Sequence, residues 1–146
     1  MNLLKFHNKI KGYTQNRQPG IEADMEPKPI AELEEYKAAG KLENKVALIT
    51  GGDSGIGRAI AILYAKEGAN VAIGYYDEHQ DAEDTVNRLQ EMGVKAKAYA
   101  HDLKDEKQSQ KLIKDVINDF GSLNILVNNG GVQFPRDHFE DITPQQ

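Results

Sequence analysis

The segment Thr50–Gly57, which reads Thr-Gly-Gly-Asp-Ser-Gly-Ile-Gly, constrains the fold more than any other part of this sequence. It follows the apolar run Val46–Ile49 and precedes the helix-like run Ala59–Ala65. A strand, a glycine-rich turn and a helix start together form a phosphate site, because N–H groups at a helix N-terminus point at the anion and the helix dipole favours its charge. The pattern therefore predicts a bound nucleotide, and the alternative is an ordinary structural turn.

The sequence after residue 44 alternates between strand and helix patterns. The spacing of apolar residues predicts strands over 45–50, 70–75, 94–100 and 124–128, and helices over 56–67, 80–92 and 106–120. Gly68, Gly93 and Gly121 stand where the three helices are predicted to end. Strands and helices that alternate at these lengths form right-handed βαβ units with a parallel sheet. We therefore predict one α/β domain over residues 45–146.

Residues 1–44 differ in composition from the rest of the chain. Residues 1–20 carry four basic residues and no acid, whereas residues 21–43 carry seven acids and three lysines. Three prolines and Gly20 interrupt any long helix. We predict a largely irregular N-terminal arm with a short helix over about residues 30–39 and a small amphipathic turn through Leu3, Phe6 and Ile10. The first interpretation is a mobile arm, the second is an arm that docks on a neighbouring subunit, and the least favoured is a membrane anchor.

Composition limits the class of protein. The 146 residues include no cysteine and carry a net charge of −5, so disulfides and thiolate metal sites are excluded and a nucleic-acid partner is not expected. No apolar run approaches the ~20 residues of a membrane-spanning helix, and no secretory signal is evident. The four histidines are scattered without metal-ligand spacing. We expect a cytoplasmic protein that binds neither nucleic acid, membrane nor metal.

Three motifs in order resemble those of the short-chain dehydrogenase/reductase family. Led by Thr50, the glycine-rich segment resembles the family's Thr-Gly-x-x-x-Gly-x-Gly. Asp102-Leu103 follows the third predicted strand, where the family places an aspartate beside adenine. Asn128-Asn129-Gly130-Gly131 follows the fourth, where the family has Asn-Asn-Ala-Gly, and glycine in place of alanine at 130 should loosen this turn. The resemblance covers about residues 44–146, and the linker 41–45 with the proline-rich arm resembles an N-terminally extended bacterial subgroup.

The resemblance implies a Rossmann-like, doubly wound parallel sheet, present in part with strand order 3-2-1-4, and a nicotinamide dinucleotide cofactor. The implied cofactor-binding residues are Thr50, Gly51, Asp53, Ser54, Gly55, Ile56 and Gly57 at the pyrophosphate, Asp102 and Leu103 at the adenine, and Asn129, Gly130 and Gly131 towards the adenosine ribose. Asn128 would tie the central strands together. For Asp102 the alternative is a helix cap or a turn former before Asp105.

The sequence leaves the choice between NAD and NADP open. NAD requires an acid about 20 residues past the glycines to hold the ribose 2′-hydroxyl, and NADP requires a nearby base. Tyr75-Tyr76-Asp77-Glu78 ends the second predicted strand, with tyrosine where the family usually has the discriminating residue. Asp77 is the candidate acid and serves equally well as a helix N-cap. Arg58 is compatible with either cofactor.

The residues that carry hydride transfer in the resembled family are not found in these 146 residues. The family uses a Tyr-x-x-x-Lys pair, with the lysine lowering the tyrosine pKa, together with a Ser, all after the fourth strand. None of the six tyrosines here is followed by lysine four places later. We therefore expect no catalytic residue, consistent with a truncated or frame-interrupted product whose fourth strand is an open, aggregation-prone edge.

Two functions follow from this pattern. The first is the NAD(P)-binding N-terminal half of an oxidoreductase that, when intact, transfers hydride between NAD(P) and a carbonyl or alcohol. Intact relatives would be homo-oligomers. The alternative is a non-enzymatic module that binds NAD(P) or another subunit.

Overall fold

The structure, a computed structural model, describes residues 15–16, 20–25, 27–33, 35–132, 138 and 140. The elements in chain order are a 3-10 turn at Glu22–Asp24, β1 (Val46–Thr50), α1 (Gly55–Lys66), β2 (Asn70–Tyr75), α2 (His79–Glu91), β3 (Ala96–Ala100), α3 (Glu106–Phe120) and β4 (Ile125–Val127). The four predicted strands and three predicted helices are all present, with small differences at their ends. The amphipathic turn predicted through Leu3, Phe6 and Ile10 lies outside the described residues.

The strands form one parallel sheet in the order β3-β2-β1-β4. This confirms the order that the family resemblance implied. Apolar, largely β-branched residues make up β1, which lies between β2 and β4 and is buried along its whole length. Such a continuous apolar run is typical of a strand covered on both faces.

Helices cover both faces of the sheet because successive strand residues point to opposite sides. On one face, Ile49 and Ile73 join a core with residues of α1 and α2. On the other face, Leu48 packs in a core with Leu112 and Val116 of α3. The domain is therefore a three-layer, Rossmann-like α/β fold, as predicted.

The outer strand β4 is less covered than the central strands. It pairs with β1 on one side, and no other strand in the described ranges pairs with it. Leu126, in the middle of β4, is 48% exposed. Within the same ranges, no helix is both long enough and apolar enough to cross a membrane.

The short helix predicted over residues 30–39 is wrong, because the described residues of this segment are not helical. Their polar groups bind side chains of α1 and α2 instead. The Leu33 carbonyl accepts a hydrogen bond from Lys66 Nζ at 2.7 Å. The Glu32 carboxylate pairs with Lys66 at 2.9 Å and with Arg88 at 2.9 Å. These hydrogen bonds and ion pairs give polar groups of the segment partners that do not require a helix. They also hold the segment against α1 and α2. Docking on a neighbouring subunit remains a prediction.

Glu67, directly after α1, anchors the end of this segment. Its buried carboxylate accepts hydrogen bonds from the Tyr36 hydroxyl and from the N–H groups of Ala39 at 3.1 Å and Lys41 at 2.9 Å. The Tyr36 hydroxyl, followed by the Lys41 N–H, lowers the pKa of Glu67 to about 2 from its ordinary 4.5. Hydrogen bonds to the charged form favour ionisation in this way.

This carboxylate should make stability depend on acid pH. Because the folded-state pKa lies below the unfolded value, the contribution of Glu67 is complete above about pH 4.5 and is lost as the pH falls towards 2. We expect Glu67→Gln to be less stable than the parent at pH 7 and to lose less stability between pH 5 and pH 2. Urea midpoints at several pH values test this, with the exposed Glu83→Gln as control. Equal losses of stability between pH 5 and pH 2 in the parent and in Glu67→Gln would contradict this role of the Glu67 carboxylate.

Candidate cofactor-binding site

A cleft of about 510 Å³ lies where the carboxyl ends of the four strands meet. This volume is in the range of small-molecule sites, and the carboxyl edge is where open α/β sheets bind ligands. The predicted site residues that line the cleft are Gly51, Asp53, Ser54, Gly55, Ile56, Asp102, Leu103, Asn129, Gly130 and Gly131. Thr50 and Gly57 are not among the lining residues, and both are buried. The structure thus brings three separate segments to one place.

The glycine-rich loop after β1 has no room for side chains at its ends. Gly51 has a φ of +60°, and its N–H donates to the carbonyl of Gly74 at 2.7 Å. A Cβ atom on Gly57 would lie 1.9 Å from the Gly51 carbonyl oxygen, far inside van der Waals contact. Glycine at position 57 therefore lets the first turn of α1 pack against the start of the loop.

The first turn of α1 begins beside the cleft. Ser54 is the N-cap residue, in an extended conformation and without a side-chain cap hydrogen bond. The Arg58 N–H donates to the Ser54 carbonyl at 3.0 Å, which starts the helical ladder. The N–H groups of Ile56 and Gly57 precede this bond and have no partner within the helix. The positive end of the α1 dipole is therefore directed at this edge of the sheet.

Thr50 and Asn129 join the glycine-rich loop to the segment after β4. The Thr50 hydroxyl oxygen accepts hydrogen bonds from the N–H groups of Asn129 at 3.0 Å and Gly130 at 2.8 Å. In return, Asn129 Nδ2 donates to the carbonyls of Thr50 at 2.9 Å and Gly51 at 3.0 Å. The two cleft walls are thus held in one fixed arrangement.

The resemblance assigned the tie between the central strands to Asn128, and the structure corrects this. Asn128 is exposed, and the tie is made by Asn129 at one end of β4 and by Asn124 at the other. Asn124 Oδ1 accepts from the Val46 N–H at 2.8 Å. Because β4 ends at Val127, the alternation of side chains along the strand does not fix which asparagine turns back towards β1.

Asp102 lines the cleft and also shapes the turn before α3. Its Oδ1 accepts the Lys104 N–H at 3.0 Å, and its own N–H donates to Gln108 Oε1 at 2.9 Å. Asp105, not Asp102, caps α3, because its carboxylate accepts the Lys107 N–H at 2.8 Å. Asp102 is therefore a turn former, and its contact with adenine stays a prediction.

The end of β2 supplies polar side chains that the sequence left without a firm role. Tyr75, Tyr76, Asp77 and Glu78 all line the cleft. The N-cap of α2 is Glu78 rather than Asp77, and its side chain makes no cap hydrogen bond. The N-cap position thus falls on Glu78, one residue after Asp77, and the role of Asp77 as the ribose acid stays a prediction.

Asp53 places a buried carboxyl group in the cleft wall. The residue is 8% exposed, and burial raises the pKa of its carboxyl group above the ordinary value, an effect that a hydrogen bond with Ser54 opposes. Burial and the nearby Asp53 charge also raise the pKa of Tyr75. The glycine-rich loop thus places an acid near the end of β2. In the family, the residue that discriminates NAD from NADP usually lies at this end of the strand.

Residues important to the loop that sequence reasoning missed or left open are Glu22, Arg58 and Thr85. Arg58 Nε donates to the Asp53 carbonyl at 2.9 Å and lies 2.8 Å from the Thr85 hydroxyl oxygen. Arg58 Nη1 pairs with the Glu22 carboxylate at 2.6 Å. Arg58 follows the last glycine of the motif and could have been found from the sequence. Glu22 and Thr85 are remote in sequence and carry no local signal.

The part of the chain that the structure describes holds no cluster of three or more histidine or acidic side chains that could bind a metal ion.

Comparison with known proteins gives consistent matches. The sequence model of the short chain dehydrogenase family matches residues 45–146. General stress protein 39 of Bacillus subtilis is 49% identical over 144 residues, which are 99% of this chain and 50% of that protein. The chain spans about half the length of the curated relatives it matches.

Solved structures give the same fold. A short chain dehydrogenase from Burkholderia cenocepacia in complex with NADP has a TM-score of 0.65 and 38% identity, over 72% of this chain and 42% of that one. An NAD+-bound xylitol dehydrogenase has a TM-score of 0.61 and 33% identity, over 64% of this chain and 35% of that one. Because the family's sequence model matches residues 45–146, which are more than half of the chain, this chain belongs to the short chain dehydrogenase family.

Proposed function

We propose that the cleft binds a nicotinamide dinucleotide, with its pyrophosphate at the first turn of α1. The observation that carries this proposal is the convergence of the three motifs on one cleft beside a helix N-terminus. The N–H group of Ile56, which lines the cleft, would donate to a pyrophosphate oxygen, and the α1 dipole would favour the charge of the pyrophosphate. The NADP and NAD+ complexes of the similar structures support this choice of ligand.

The shape of the cleft fits such a ligand. A Cβ atom on Gly55 or Gly131 would meet no heavy atom within 4 Å, although both residues line the cleft. Two positions of the cleft wall therefore carry no side chain and border open space, where a pyrophosphate and a ribose would lie against the backbone. Asp102 and Leu103 would form the adenine side.

Charge in the cleft favours NAD over NADP. The acids Asp53, Asp77, Glu78 and Asp102 line it, together with Lys104. A ribose 2′-hydroxyl can donate to a carboxylate, whereas a 2′-phosphate would be repelled by this group of acids. We therefore propose tighter binding of NAD, with Asp53 or Asp77 as the acceptor.

The activity of the whole protein is a further proposal. A bound nicotinamide ring supplies hydride donation or acceptance, and the longer protein would use it on a carbonyl or alcohol. We also propose a cytoplasmic location and homo-oligomers for that protein. The 146 residues themselves hold and orient the dinucleotide, and we expect no turnover from them alone because they contain no Tyr-x-x-x-Lys pair.

Calorimetric titration of the 146-residue chain with NAD, NADH, NADP and NADPH tests this function. The sample is first shown to be monomeric by light scattering, because an exposed β4 edge favours self-association. We expect saturable micromolar binding, tighter for NAD than for NADP, and no oxidation of NADH with carbonyl substrates. Robust turnover would contradict the assignment of a binding half. A folded monomer that binds none of the four would contradict the function altogether.

A further inference from the structure

Glu22, in the N-terminal arm, reaches the glycine-rich loop across more than thirty positions of sequence. The 3-10 turn Glu22–Asp24 presents it, and the residue before the turn is fixed by Gln15, whose side-chain amide bonds both the Ile21 N–H at 2.6 Å and the Ile21 carbonyl at 2.8 Å. The Glu22 side chain is 12% exposed. This part of the arm is thus an ordered, docked structure.

The Glu22 carboxylate binds two groups of the loop and of α1. One oxygen accepts a hydrogen bond from the Gly55 N–H, the first N–H of α1. The other accepts from Arg58 Nη1 at 2.6 Å. Gly55 lines the cleft, whereas Glu22 and Arg58 are not among its lining residues. The carboxylate therefore holds the loop from outside the cleft.

Arg58 extends this contact to the rest of the loop. Its Nε donates to the Asp53 carbonyl, and its Nη2 donates to the Asp81 carbonyl at 3.3 Å. Asp53 is further fixed by the Thr85 hydroxyl, which donates to the same carbonyl at 2.9 Å. Glu22 and Arg58 thus link both ends of the segment 53–58 to the arm and to α2.

We propose that Glu22 is a positioning residue for the cofactor: it braces the glycine-rich loop from outside the cleft and leaves the N–H group of Ile56, which lines the cleft, for the pyrophosphate. Arg58 balances the Glu22 charge, so the carboxylate satisfies one N–H of the helix start without cancelling the field that attracts an anion. This inference rests on the proposed function, and it assigns to the N-terminal arm a part in cofactor affinity.

The opposite role for Glu22 makes a different prediction. If its carboxylate competed with the pyrophosphate for the helix N-terminus, its removal would tighten cofactor binding. If it only stabilised the fold, its removal would lower the unfolding temperature and leave the affinity of the folded protein unchanged. The affinity of folded variants therefore separates the three roles.

The test compares Glu22→Ala and Glu22→Gln with Asp24→Ala in the full chain. Asp24 is an exposed acid in the same turn, so its removal is the matched control. Titrations with NAD are run at a temperature at which circular dichroism shows every variant folded. We expect Glu22→Ala to weaken binding about tenfold, as for loss of one charge-assisted contact. Glu22→Gln keeps an acceptor for the Gly55 N–H but loses the charge, so its affinity for NAD should lie between those of the parent and Glu22→Ala. Asp24→Ala should bind NAD as tightly as the parent.

Hydrogen exchange of the unliganded chain gives an independent readout. We expect Glu22→Ala to speed exchange of the amides in the segment 51–58, while those of β2 remain as in the parent and in Asp24→Ala. Unchanged or tighter NAD binding by Glu22→Ala, or unchanged exchange in the loop, would overturn the inference. If the parent itself does not bind NAD, the proposed function fails, and the exchange result then decides separately whether Glu22 braces the loop.

Discussion

Replacing Gly57 with alanine is expected to remove detectable NAD binding and to lower the free energy of unfolding by about 3 kcal/mol, the upper part of the range for overpacked interiors. The added Cβ would lie 1.9 Å from the Gly51 carbonyl oxygen and 2.7 Å from Asn129 Nδ2. Neither the loop backbone nor the asparagine that joins the two cleft walls can move without breaking the hydrogen bonds of Thr50 and Gly51. Urea denaturation and calorimetric titration measure the two effects.

Gly131→Ala is the matched control for this change. It adds the same methyl group to another glycine of the proposed site, but nothing lies within 4 Å of that position. The free energy of unfolding should change by less than about 0.5 kcal/mol, as for an unconstrained substitution. Equal losses of stability in the two variants would show that the close approach of Gly57 to Gly51 is not what requires glycine there.

Arg58→Ala should lower the free energy of unfolding by about 2–4 kcal/mol, slightly below the range for breaking a fully buried ion pair. The Arg58 side chain is 19% exposed, and its guanidinium lies among three side-chain partners and two backbone carbonyls. Its removal leaves the Glu22 and Asp81 carboxylates without their cation. Arg58→Lys should recover less than half of the loss, because an ammonium group cannot reproduce the planar fork of donors. Urea denaturation at pH 7 measures both.

Arg88→Ala provides the comparison for Arg58. Arg88 also pairs with two acids, Glu32 and Glu91, but its side chain is 44% exposed. Exposed pairs of this kind contribute about 1 kcal/mol or less. If Arg88→Ala lowered the free energy of unfolding as much as Arg58→Ala, the claim that the Arg58 contacts stabilise the loop more than exposed ion pairs do would be contradicted.

The strands and the helices could be predicted because local patterns determine them, whereas the order of the strands in the sheet was implied by the family resemblance. The run Val46–Ile49 is apolar throughout, which is typical of a strand covered on both faces, and a glycine stands at or just after the end of each helix. The segment 30–39 has a helical composition, yet its polar groups find partners on Lys66, Arg88 and Glu67. Those partners are remote in sequence, and tertiary contacts of this kind override local propensity.

The candidate site likewise combines residues that a local motif predicts with residues that only contacts remote in sequence bring to the site. The glycines of the loop are predictable because the backbone geometry at a phosphate turn demands glycine, whereas Asp102 is implied by the family resemblance. The sequence assigns the tie between the central strands to Asn128 rather than to Asn129, since a strand end leaves the direction of the next side chain undetermined. Glu22 was not predicted at all, because its contact with Gly55 joins two segments that share no periodicity.

Backbone amide shifts during titration of the isotope-labelled chain with NAD test the central claim most directly. The cleft predicts large, saturable shifts for Gly51, Ile56 and Gly57, with smaller ones for Asp102 and Gly130. Amides at the opposite edge of the sheet, such as that of Lys95, should not move. Saturable shifts centred elsewhere, or none in the glycine-rich loop of a folded monomer, would contradict a dinucleotide site at the carboxyl ends of these strands.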